Sequence, residues 1–88
     1  MVNNRRSELE IIRDILELSQ DGAKKTEILY RNNMSFNQLN SYLSYLLEKE
    51  IIIESYSSNN SNERLYFNTD KGNELLDDIV KVLSYLKK

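Results

Sequence analysis

The chain has 88 residues and a formal net charge of −2, with 40% hydrophobic and 30% charged residues. That is the size and balance of one small globular domain with little core to spare. It contains no Cys and no His, which removes thiol nucleophiles, disulfides, imidazole bases, zinc fingers and most transition-metal sites.

The first element is announced by Ser7-Glu8-Leu9-Glu10, a capping box in which Ser7 caps and Glu10 reaches back. Apolar residues follow at Leu9, Ile11, Ile12, Ile15, Leu16 and Leu18, a wide helical stripe that excludes Arg13, Asp14 and Glu17. Asp21-Gly22 is expected to end this helix, because Gly tolerates a left-handed C-cap. A short second helix is predicted from about Lys24 to Asn32, burying Ile28 and Leu29 and stopping at Asn32-Asn33. Met34, in the turn, is expected to pack inward. Ser35-Phe36-Asn37-Gln38 is a second capping box, and a third helix runs from it to about Lys49. Phe36, Leu39, Leu43, Leu46 and Leu47 form its apolar face, with Tyr42 at the edge. Asn37, Gln38, Asn40, Ser41, Ser44 and Tyr45 form the other face.

Ile51 to Tyr56 is β-branched and strand-like, and Arg64 to Asn68 is a second strand. The run Ser57 to Asn62 between them is a polar turn-former, so the two strands make a hairpin with a long tip. Thr69-Asp70 then caps a last helix carrying Leu75, Leu76, Ile79, Val80, Val82, Leu83 and Leu86. Of these, Leu75, Ile79, Val82 and Leu86 are spaced as a two-heptad seam, with Leu76, Val80 and Leu83 beside it. Without Pro, and with Gly only at positions 22 and 72, the chain reads as continuous elements without a linker. No apolar run approaches a membrane span and the start has no signal-peptide core, so a cytoplasmic location with no membrane contact is expected.

Three helices followed by a hairpin and a helix make an α+β, mostly α fold of winged helix-turn-helix type. It divides into residues 1–69 as the winged domain and 70–88 as a C-terminal dimerisation helix. A capped second helix with one hidden face and one small-polar face is how such proteins offer a helix to the DNA major groove. Uncharged polar rows are unusual on a merely solvated helix, which normally carries Lys and Glu. Asn37, Gln38, Asn40, Ser41 and Ser44 are therefore candidates for reading base edges. Lys24, Lys25 and Arg31, with Arg64, Arg5 and Arg6, are candidates for phosphate contact. From Lys24 to Lys49 four cations face two carboxylates, a weak basic excess. Tyr45 suits either a sugar-phosphate or a subunit contact. The apolar excess of the last helix points to a homodimer through Leu75, Ile79, Val82, Leu83 and Leu86.

The blocks RRSELEIIRDIL, GAKKTEILYRNNMSFNQLNSYLSYLLEKEII and YFNTDKGNELL resemble the archaeal winged helix-turn-helix family of small predicted transcription regulators. That family includes dimeric chromatin-type proteins with a C-terminal coiled coil. The resemblance implies that 35–49 is the recognition helix, 51–68 the wing, and double-stranded DNA the partner. Two departures stand out: Glu50, where the family often has Gly, and Asn68, where it often has an apolar residue. The wing is also longer and more polar than the resemblance implies. No catalytic constellation or cofactor site is visible among the carboxylates, Lys, Ser and Tyr, so an enzyme is not expected. A core of this size also leaves little room for a small-molecule pocket. The alternative function is a winged-helix interaction module without DNA contact, suggested by the acidic charge balance and the acidic first strand.

Overall fold

The computed structural model describes residues 7–56 and 63–86. Arg5, Arg6 and the hairpin tip lie outside them. The elements are α1 (Glu8–Leu18), α2 (Lys25–Asn32), α3 (Phe36–Glu48), β1 (Ile52–Tyr56), β2 (Arg64–Asn68) and α4 (Asp70–Leu86). This is the winged-helix order expected from sequence. β1 and β2 are antiparallel, with Ile52 opposite Asn68 and Tyr56 opposite Arg64. A further bridge joins Ala23 to Tyr66: Ala23 N donates to Tyr66 O at 3.0 Å, and Tyr66 N to Ala23 O at 2.9 Å. The turn between α1 and α2 thus forms a third, one-residue edge at the base of the wing.

Both capping boxes form. Glu10 N donates to Ser7 Oγ and Ser7 N to Glu10 Oε1; Gln38 N donates to Ser35 Oγ and Ser35 N to Gln38 Oε1. Each box satisfies two amides that a helix start would otherwise leave unpaired. Asn33 takes the left-handed conformation at the end of α2 (φ 53), as the Asn-Asn stop requires. The end of α1 differs from expectation. It is capped by Ser19 in a non-left-handed backbone, and Gly22 serves the next turn instead. There φ is +96, and the Phe67 ring lies 2.8 Å from where a Cβ would be.

One core unites all four helices and the hairpin. Ile15, Leu16, Ile28, Leu39, Leu46 and Ile52 have essentially no exposure, and Tyr66, Leu76, Ile79 and Leu83 pack with them. Leu29 and Met34 are partly buried against this core. Phe36, placed on the apolar face of α3 by periodicity, is exposed. It occupies the first helical position of α3.

Thr69 stitches the end of α3 to the start of α4, and Asn68 ties α1 to α4. Thr69 Oγ1 donates toward Glu50 O (2.7 Å) and Ile51 O (3.1 Å) and accepts from Gly72 N (3.0 Å), while Thr69 N donates to Ile51 O. Asn68 has a structural role that explains its departure from an apolar residue: its Nδ2 donates to Leu16 O (2.8 Å) and to Asn73 Oδ1 (3.0 Å). Glu50 occupies a left-handed position (φ 61), which suits glycine far better than a side chain carrying a Cβ. Glu50→Gly is expected to raise stability by about 0.5–1 kcal/mol, read as an upward shift in the denaturant midpoint at unchanged slope.

Candidate nucleic-acid interface

The outer face of α3 is built by its period. With Leu39, Leu43 and Leu46 buried, the residues between them must face outward. Asn37, Gln38, Asn40, Ser41, Ser44 and Tyr45 are all solvent-exposed, so the five base-reading candidates share one accessible helix surface without a charge among them. Their side chains differ in availability. Gln38 Oε1 is engaged in the capping box at 3.3 Å. Asn40 Oδ1 accepts from Lys25 Nζ at 2.8 Å. Ser41 and Ser44 stand about one turn apart on this face. Tyr45 carries the Lys49 ammonium 5.8 Å from its ring centre, a cation–π distance.

Of the phosphate candidates, Lys24 and Lys25 start α2 and Arg31 stands exposed in its last turn. Lys24 and Lys25 share a shallow cleft of about 360 Å3 with Thr26, Glu63, Arg64 and Tyr66 of the wing base. The fold thus brings Lys24, Lys25 and Arg64 together from two elements. It also supplies Lys24 and Arg64 with anions. Lys24 Nζ lies 2.7 Å from Glu63 Oε2, and Arg64 lies 3.6 Å from Glu54 Oε2 with its guanidinium over the Tyr56 ring. The hydrogen bond to Glu63, and then its charge, hold the Lys24 ammonium above its ordinary range. Hydrogen bonds to Tyr66 and Tyr56, reinforced by Glu54, do the same for Arg64. The α2 N-terminus is itself occupied, since Lys24 N donates to Glu27 Oε1 at 2.8 Å.

The dimerisation candidates divide. Ile79 and Leu83 are 3% and 7% exposed, buried with Leu76 in the protein's own core. Spacing alone could not show this, because the seam and the core-facing stripe overlap on one helix. Leu75 is partly buried, while Val82 (44%) and Leu86 (71%) face solvent beside Tyr85 (76%).

Sequence reasoning missed three features. Glu63 and Glu54 act as internal partners of the wing-base cations. Lys71 Nζ donates to Lys49 O at 2.8 Å, bracing the end of α3. An open groove of about 490 Å3 runs between α1 and α3, lined by Glu8, Ile12, Gln38, Ser41, Tyr42 and Tyr45. A core too small to enclose a pocket still leaves this space at the surface. The i, i+4 pair Glu8/Ile12 is a signal, but only the fold, which sets α3 across the groove from it, gives it a partner. Burial, and then the Glu8 carboxylate, hold the Tyr42 phenol above the usual tyrosine range. Among the described residues no helix is long and apolar enough to cross a membrane.

A winged helix-turn-helix family profile matches residues 5–87. No curated protein sequence matches. Among solved structures, the fold is similar to Sso10a-2, a DNA-binding protein from Sulfolobus solfataricus (TM-score 0.79, 20% identity, covering 93% of this chain and 83% of that one). It is similar to a point mutant of MepR from S. aureus (TM-score 0.79, 15% identity, 96% and 62%). It is also similar to a second S. aureus MepR mutant bound to an oligodeoxyribonucleotide (TM-score 0.75, 14% identity, 90% and 57%). The chain spans less than two thirds of the MepR chains' length.

Proposed function

The chain belongs to the winged helix-turn-helix family, and on that premise we propose that it binds double-stranded DNA as a homodimeric transcription regulator with α3 in the major groove. The observation that carries this reading is the outer face of α3, exposed, polar and uncharged from Asn37 to Tyr45, with Lys25 hydrogen-bonded to its edge through Asn40. Asn and Ser suit base edges, while Lys24, Lys25, Arg31 and Arg64 suit backbone phosphates. A DNA-bound protein of the same fold supports it. The exposed row Val82, Tyr85 and Leu86, continued by Leu75, supports pairing through α4, which would set the spacing between two half-sites.

The chain carries some of its own counter-charge, so duplex binding must exchange Glu63 for a phosphate at Lys24. Binding is expected to weaken linearly in log–log salt plots, by a slope of about −0.9 for each phosphate neutralised. Glu63→Gln should tighten binding about threefold at low salt and leave the slope nearly unchanged, because Lys24 neutralises the same phosphate in both proteins. Sedimentation equilibrium of the same sample should give two chains per particle. No duplex binding at low salt, or a slope near zero, overturns the reading.

The exposed residues of β1, Glu54 and Tyr56 (59%) on one face and Ile53 (49%) on the other, favour a second reading as a protein-interaction module. A partner retained after nuclease treatment would support it.

A further inference from the structure

The groove between α1 and α3 is unlike the rest of the α3 surface. Its α1 wall is Glu8 and Ile12, one turn apart, and its α3 wall is Gln38, Ser41, Tyr42 and Tyr45. Those α3 positions are spaced three, one and three, a single continuous row on the helix. The walls therefore run side by side, a carboxylate at one end, an aliphatic floor, and two phenol rings along one flank. None of the six lining residues is cationic. Glu8 is the one carboxylate in the lining. The Tyr45 ring already attracts a cation in the structure, the Lys49 ammonium 5.8 Å from its centre. Ring faces are electron-rich and favour positive charge, and an adjacent carboxylate adds to the attraction.

We propose that this groove binds an organic cation with an aromatic or bulky apolar body, its charge toward Glu8 and its body along Ile12, Tyr42 and Tyr45. The argument is charge complementarity: a carboxylate and π faces beside an apolar floor reject anions and leave a small inorganic cation nothing apolar to bury. At about 490 Å3 the groove lies within the size range of small-molecule sites. Two of its lining residues, Gln38 and Ser41, belong to the face assigned to base reading. A bound cation would therefore occupy space that α3 needs for the major groove. This second step rests on the DNA-binding reading above; binding in the groove does not.

The test uses a matched pair of probes, tetraphenylphosphonium and tetraphenylborate, of the same shape and opposite charge. Titrated into the full chain, the phosphonium should shift the amide signals of Ser41, Tyr42 and Tyr45, while the borate should bind far more weakly. Glu8→Gln, which lies outside the α3 face and the phosphate set, should weaken the phosphonium about three- to fivefold with the fold intact by circular dichroism. Tyr45→Ala should cost at least as much. Equal binding of the two probes, shifts confined to other surfaces, or indifference to Glu8→Gln would overturn the proposal. The second arm adds duplex. If the protein binds DNA and saturating phosphonium leaves that affinity unchanged, the competition is wrong. If the protein does not bind DNA at all, the functional reading fails while the groove result stands.

Discussion

Gly72→Ala is expected to lower the unfolding midpoint by roughly 15 °C, following a loss of about 3 kcal/mol in a domain of this size. The cause is backbone against backbone. A Cβ at position 72 would overlap Ile51 O and stand 3.2 Å from Ile51 C. Neither atom can swing aside, because Ile51 O accepts from Thr69 N and faces Thr69 Oγ1, and Ile51 N is held by Leu46 O. Relief requires moving the first turn of α4 away from the β1 entry, which strips Thr69 of its contacts and opens the core at Leu76. The general gain of replacing a helical Gly with Ala, about 1 kcal/mol, runs the other way and is outweighed. Thermal or denaturant unfolding reads the result directly. A midpoint within a few degrees of the parent would show that the α4 start can shift freely.

Ser44→Glu is expected to weaken duplex binding by about 100-fold or more while leaving stability within about 0.5 kcal/mol. Ser44 is exposed on the outer face of α3, and Glu is at least as good a helix former as Ser. The like charge of Glu48 four residues on costs the fold only about 0.2–0.5 kcal/mol. On DNA, each protomer would drive a carboxylate between phosphate-lined walls, and like-charge juxtaposition costs several kcal/mol. Ser44→Ala is the control, removing a hydroxyl without adding charge, and should cost less than tenfold. Parallel binding isotherms and melting curves separate the two effects. Unchanged affinity of Ser44→Glu would move the DNA contact off this face.

What could be read from the chain was local. Ser7 with Glu10, Ser35 with Gln38, and Asn32-Asn33 each encode their structure within three or four residues, and each forms as written. The exposed row of α3 follows in the same way from three buried leucines. What could not be read was tertiary. Lys24 and Glu63 lie far apart in the chain, so only the fold shows that they meet. Lys25 and Asn40, candidates for different contacts, hydrogen-bond each other across α2 and α3. Periodicity places Phe36 inside because it cannot see where a neighbouring element ends. It places Ile79 and Leu83 in an outer seam because a stripe of that width on α4 has two edges, and the sequence does not say which one faces α1. Glu50 and Asn68 look, in the sequence, like departures without a reason. In the fold one is a tolerated strain, and the other is a hydrogen-bonded tie between Leu16 and Asn73.

The Thr69–Gly72 junction also constrains how signals could move through the molecule. The end of α3 and the start of α4 share hydrogen bonds through Glu50 and Ile51 and touch main chain to main chain, and Lys71 braces Lys49. The end of α3 and the start of α4 therefore turn as one lever, and in the proposed dimer the distance between two α3 helices is a function of how two α4 helices cross. An effector that acts by altering that distance has to work at the crossing, while one seated against α3 can act only by blocking it. These two routes of control leave different signatures, a change in preferred half-site spacing for the first and a uniform loss across all spacings for the second.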